Sequence, residues 1–178
     1  MKKTSTFKIV ITALFAALIC VATMLIQVPI PATGGYANLG DGIILICAFL
    51  MPPMPAVIAA GLGSMLADIL AGYVSYAPAT LLIKAGVALI AALIFGKLGR
   101  SRQTGSKLAA MLFSGILAEA FMVLAYFFYE AVILGLGIAA AGAIIGNIGQ
   151  GVVGVIVACL VAPVLKRSGE VNELMNKL

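Results

Sequence analysis

The dominant pattern along the chain is the long apolar run broken by a few residues of Pro, Gly, Tyr or charge. Six such segments stand out, at 7–28, 39–51, 55–71, 78–95, 108–134 and 138–164. Five are long enough for a membrane-crossing helix, which needs about 20 mostly apolar residues. The second is short and ends at Pro52 and Pro53. Brief connections leave no room for a second domain, so the pattern predicts one all-α integral membrane bundle of six transmembrane helices. A re-entrant hairpin formed by segments two and three is the alternative, and it preserves the same sidedness.

Composition agrees with the pattern. Of 178 residues, 63% are hydrophobic and 10% charged, against about 25% charged in an average soluble domain. Mean hydropathy is +1.22. The first segment follows a Lys-rich start, but it is longer than a signal-peptide core and lacks a small-residue cleavage site, so it is expected to remain as a helix.

Charge supplies an orientation. Apart from Lys84, the cations fall in three groups: Lys2, Lys3 and Lys8; Lys97, Arg100, Arg102 and Lys107; Lys166, Arg167 and Lys177. An even number of predicted crossings separates each group from the next. The positive-inside rule therefore makes that face, and both termini, cytoplasmic. The net charge of +5 is a topology signal rather than a nucleic-acid patch, and no nucleic-acid partner is expected.

Five ionisable residues remain in or beside the spans: Asp41, Asp68, Lys84, Glu119 and Glu130. Each is costly in hydrocarbon and needs a partner, a cavity or an interface. On the predicted topology all five lie at mid-depth or toward the outside. Glu119, Tyr126 and Glu130 share a helical face at i, i+7 and i+11, and Asn147 and Gln150 share one at i, i+3. Two polar stripes and a lysine can converge on an outward-facing pocket. The plain alternative is that they pair structurally, Lys84 with Glu119 or Asp68. The loops PIPATGGYANLGD and GYVSYAP on that side carry Gly, Pro and Tyr but no Lys or Arg. Gly34, Gly35 and Tyr36 could close over the cavity, while Tyr73 and Tyr76 read as interfacial anchors. Asp41, in the first turn of segment two, is expected to cap that helix and to form part of the pocket wall.

Ala13 and Ala17 make a small-xxx-small pair in segment one, and Gly142 and Gly146 another in segment six, which reads as packing inside the bundle. Cys20, Cys47 and Cys159 stand alone in apolar surroundings, with no metal-ligand spacing. With no His, no GxSxG and no GxxxxGK[ST], neither the usual hydrolase constellations nor a nucleotide site is present. No catalytic residue, metal or cofactor is expected.

These residues resemble a known family. TALFAAL, GGYANLGDGIILICAFLMPP, GLGSMLADILAGYVSYAPATLLIKAG and GQGVVG are similar to stretches of the substrate-binding S components of energy-coupling factor (ECF) transporters. The resemblance implies a six-helix subunit in the bacterial plasma membrane that binds a water-soluble vitamin from outside. It implies delivery by toppling on a transmembrane T component driven by two cytoplasmic ATPases, so that this chain is not itself an enzyme. Ala13 and Ala17 match the family's partner-contacting AxxxA motif. The first loop and segments four to six line the site in such proteins, which implies substrate contacts from Tyr36, Asn38, Asp41, Lys84, Glu119, Tyr126, Asn147 and Gln150. The LGD and YAPAT stretches resemble the subgroup for hydroxymethylpyrimidine, pyridoxine or riboflavin. The absence of Trp favours a small ring, pyridoxine or hydroxymethylpyrimidine, with riboflavin or another vitamin as the alternative. A solitary facilitator or channel for a small polar solute is the alternative of another class.

Overall fold

A computed structural model describes residues 6–99, 104–176 and 178. Lys2, Lys3, Arg100, Arg102 and Lys177, used above for orientation, lie outside the described residues. The elements run α1 (Thr6–Leu25), β1 (Gln27–Ile30), β2 (Gly35–Asn38), α2 (Gly40–Leu50), α3 (Pro53–Leu70), α4 (Ala77–Leu98), α5 (Thr104–Phe128), α6 (Ala141–Arg167) and α7 (Gly169–Asn176). Five helical stretches are long and apolar enough to cross a membrane, at Thr6–Leu25, Pro53–Leu70, Ala77–Leu98, Gly105–Ile133 and Gly137–Arg167.

Helix α2 is the exception. Its 11 residues rise only about 16 Å, roughly half of a hydrocarbon core. It sits inside the protein, with Gly40 through Phe49 buried except for Ile43, and packs against α1, α3, α4 and α6. A helix apolar on every side belongs in a core, which explains why its sequence lacks a polar stripe. Pro52 and Pro53 then separate α2 from α3, Pro53 standing at the helix start where its missing N–H costs nothing.

Helix α1 ends at Leu25, before the predicted limit at residue 28, because residues 27–30 become a strand instead. Gln27–Ile30 pairs antiparallel with Gly35–Asn38, Val28 facing Ala37 and Pro29 facing Tyr36. The turn closes through hydrogen bonds from the Thr33 and Gly34 N–H groups to the Ile30 carbonyl, and Gly34 takes φ +68°, a value that favours glycine. Proline is tolerated in β1 because each strand of a two-stranded hairpin is an edge. Part of the first loop is thus a hairpin standing over one end of the bundle.

Glycine sets the closest helix crossings. A Cβ at Gly63 of α3 would fall 2.4 Å from the Ala16 carbonyl oxygen of α1, and one at Gly61 would fall 2.9 Å from the Leu81 carbonyl oxygen of α4. Ala13 and Ala17, by contrast, are exposed on the outer face of α1. Gly142 and Gly146 do pack against the protein, but their neighbour is the hairpin and not another helix. Cβ atoms there would lie 2.5 Å from the Ala32 Cβ and 2.9 Å from the Ile30 Cδ1. Cys20 and Cys47 are free and buried, and Cys159 is free and half-buried.

Candidate functional site

The polar side chains collect beneath the hairpin in one closed cavity. Helix α4 shows how the sequence places them: Thr80, Lys84, Val87, Ala88, Ala91 and Ala92 are all buried, a stripe at helical spacing that ends in polar residues near the hairpin. Lys84 is 2% exposed and lies seven residues into α4, about 10 Å along the axis.

The partner of Lys84 is Asp41, neither Glu119 nor Asp68. Its ammonium donates to both Asp41 carboxylate oxygens, at 2.6 and 2.8 Å. It also meets the Met122 sulfur at 3.0 Å and lies 5.4 Å from the centre of the Tyr126 ring. Gln150 of α6 donates to the second Asp41 oxygen at 2.5 Å and accepts the Asn38 N–H at 2.7 Å. One connected network therefore ties the hairpin to α2, α4, α5 and α6. A buried charge pair is tolerable only when its remaining donors and acceptors are met in this way. Asp41 does stand in the first turn of α2, where a carboxylate complements the helix dipole, but the N-cap residue is Leu39, which makes no side-chain cap bond, and the Asp41 carboxylate is wholly buried and bonded to Lys84 and Gln150.

The GQGVVG stretch of α6 is built for this layer. Gln150 supplies the hydrogen bond to Asp41. A Cβ at Gly151 would meet Glu119 at 2.9 Å, and one at Gly154 would meet Asp41 at 3.0 Å. The two glycines let α6 approach both carboxylate-bearing helices.

Above that floor, Tyr36 donates to Asp68 at 2.6 Å and its ring lies tilted against that of Tyr73, 4.4 Å between ring centres. Burial first, and the Asp68 carboxylate second, push the Tyr36 hydroxyl above the usual phenol range, so it remains a proton donor at neutral pH. Thr80 and Tyr126 share a hydrogen bond of 2.9 Å. Tyr76 donates to the Thr33 carbonyl at 2.9 Å and approaches Glu130 at 3.2 Å; burial pushes its hydroxyl up to about 12. The interfacial-anchor reading of Tyr76 is thereby replaced, because the side chain is buried and clamps the hairpin turn to α4 and α5. Glu130 reaches the cavity from a π-helical turn at Tyr129–Ile133, closed by the bond from the Leu134 N–H to the Tyr129 carbonyl. Such single-turn widenings are frequent at functional sites.

Of the eight substrate-contact residues expected from sequence, Tyr36, Asn38, Lys84, Tyr126, Asn147 and Gln150 line this cavity. Asp41 stands directly behind it, bonded to two lining residues. Glu119 does not line it: its carboxylate is buried, both oxygens without a hydrogen-bond partner, and the residue borders a separate apolar groove between α5 and α6, beside Ile116, Val123, Ile148 and Val152. Thr23, Ser64, Asp68, Tyr76, Thr80 and Glu130, not among those eight, also line the cavity. For Asp68 and Glu130 the signal was present as charge inside an apolar segment; for Thr23 and Ser64 there was none beyond small polar residues in a helix.

The oxygens of this lining are unevenly used. Thr23 Oγ1, Ser64 Oγ, one oxygen of Asp68 and one of Glu130 are buried without a hydrogen-bond partner. Buried polar atoms ordinarily find partners, so four on one cavity wall, two carboxylate oxygens that accept and two hydroxyls that both donate and accept, leave polar capacity unused there. Free space within the wall is ≈ 20 Å³, about one water molecule's worth. A ring-sized guest therefore needs the hairpin to move.

That motion gives a first expected result. Gly142→Ala places a methyl against Ala32 with no flexible atom to yield, so the hairpin cannot seat fully. Overpacking of this kind costs about 1–3 kcal/mol, and ligand affinity should fall about tenfold, through faster release. Gly149→Ala, whose Cβ meets nothing within 4 Å, should leave affinity unchanged. Equal affinities for both variants in a dissociation-rate measurement would show that the hairpin does not retain the ligand.

This architecture has counterparts among known proteins. Residues 3–167 match the family model described as "ECF-type riboflavin transporter, S component". An uncharacterised protein from Pyrococcus woesei is 35% identical over 149 residues, covering 84% of this chain and 95% of that one. In fold, the chain is similar to a solved structure of the S component of a bacterial ECF transporter, with a TM-score of 0.70 at 22% identity, covering 92% of this chain and 98% of the other. The protein is a multi-pass membrane protein and belongs to the family of ECF-type riboflavin transporter S components.

Proposed function

We propose that the chain captures a water-soluble vitamin beneath the hairpin and passes it on by docking through α1 to a T component powered by two cytoplasmic ATPases. The observation that carries the binding half is the cavity wall, where four unpartnered buried oxygens stand above the Lys84–Asp41–Gln150 layer. Two carboxylate oxygens and two hydroxyls without partners suit a ligand with several hydroxyl or amino groups, while the tyrosines and the lysine suit a flat heteroaromatic ring. On the proposed topology the hairpin end faces outward and both termini face the cytoplasm. Six crossings follow if α2 and the hairpin together make one passage.

Two ligand sizes have support. The family model names riboflavin, whose hydroxylated side chain would satisfy several acceptors at once. The small free volume of the cavity favours a single ring such as pyridoxine or hydroxymethylpyrimidine, which needs less movement of the hairpin. Mass spectrometry of small molecules extracted from the purified protein, followed by titration with the three vitamins, separates them. The expected result is one vitamin bound stoichiometrically, with no chemical change on long incubation. Failure to bind any of them would return the polar wall to a purely structural network. Conduction of a solute by liposomes holding this chain alone would favour the facilitator instead.

A further inference from the structure

At the end of the bundle opposite the hairpin, a second groove of ≈ 400 Å³ runs between the start of α5 and the end of α6. Its mouth carries Lys107, Lys166 and Arg167, and the rest of it is apolar, with Leu108, Leu160 and Val164 exposed along its sides and Met111 buried at its base. We propose that this groove holds an anionic glycerophospholipid, its phosphate between the cations and one acyl chain along the apolar wall.

Four features point to that occupant. Lys107 stands in the first turn of α5, where the helix dipole disfavours a cation; an anion at the same place reverses the sign of that interaction. Lys166 also lines the groove, its ammonium lying over the Phe95 ring of α4, 4.3 Å from its centre. The apolar wall opens sideways, since Leu160 is 68% and Val164 65% exposed, so a chain can enter from the bilayer. Arg167 lies seven residues beyond Leu160, about 10 Å along α6, a separation that matches a headgroup above the first part of an acyl chain. Basic pockets between helices on the cytoplasmic side are suited to anionic headgroups, and the positive-inside rule places this end there.

The test is native mass spectrometry of the full chain in mild detergent, with phosphatidylglycerol or phosphatidylcholine of the same acyl chains added. One phosphatidylglycerol should be retained in preference to phosphatidylcholine. Lys107→Gln with Arg167→Gln should reduce that preference by about fivefold per cation removed. Both side chains are exposed, so the fold should be unaffected. Lys8→Gln with Lys97→Gln removes two charges from the same end but leaves this groove's mouth intact, and should preserve the preference. Equal retention of both lipids, or equal loss in both double variants, would overturn the site. Displacement of the lipid by excess inorganic phosphate would assign the cations to a free anion and would also overturn it.

Discussion

Lys84→Met is expected to destabilise the protein strongly and to weaken vitamin binding at the same time. The substitution keeps most of the side-chain volume but leaves Asp41, which is wholly buried, with Gln150 as its remaining hydrogen-bond partner. Breaking a buried pair from one side costs about 3–5 kcal/mol, because the uncompensated charge stays behind. Set against a total stability of about 5–15 kcal/mol, that loss should be obvious in a thermal unfolding curve in detergent. The pair-removing variant Lys84→Met with Asp41→Leu should recover much of the stability, since a buried ion pair and a well-packed apolar pair are often close in energy. Vitamin affinity should not recover with it. Lys84 lines the cavity, and a hydrogen bond from a charged group is worth about 1.5–3 kcal/mol, at least tenfold in affinity. A double variant as unstable as the single one would show that the Lys84–Asp41 contact is not what stabilises the layer.

This pair also shows where a sequence stops being readable. The apolar runs gave all six major helices with ends displaced by a few residues, because burial in a bilayer writes itself as continuous hydrophobicity. They also showed that Lys84 and Asp41 each need a partner. They could not show that the two meet, since 43 residues separate them and no local rule couples α2 to α4. Same-face spacing groups Glu119 with Tyr126 and Glu130, but only Tyr126 and Glu130 line the cavity. Depth decided differently: Glu119 lies below the Lys84–Asp41 floor and packs on Gly151, whereas Tyr126 and Glu130 lie above it. The hairpin was hidden for another reason. Pro29, Pro31, Gly34 and Gly35 are loop residues by propensity, and strand pairing across a four-residue turn depends on the bundle beneath it. Gly142 and Gly146 read as a helix-packing motif because spacing reports that something approaches closely, not what it is.

Leucine at both Ala13 and Ala17 is expected to abolish energised uptake while leaving vitamin binding intact. The two alanines are exposed on α1, away from the Ala16–Gly63 crossing that joins α1 to α3, so neither has a packing duty within this chain. Beside them a groove of ≈ 410 Å³ runs along α1 and α3, lined by Ala13, Thr12, Met54, Ile58 and Leu62. In lipid no hydrophobic force draws helices together, and small residues matter because they let backbones approach. A partner helix docked there would meet two isobutyl groups in place of two methyls. Losing contacts at the centre of an interface costs about 2 kcal/mol or more, so ATP-dependent uptake by cells making the complete transporter should drop at least thirtyfold. Substitutions on an unpartnered surface usually stay within about 0.5 kcal/mol, and vitamin affinity of the purified subunit should therefore be unchanged. Uptake that survives both leucines would remove α1 as the docking face, and uptake that persists without any ATPase partner would favour the solitary facilitator over a subunit that topples.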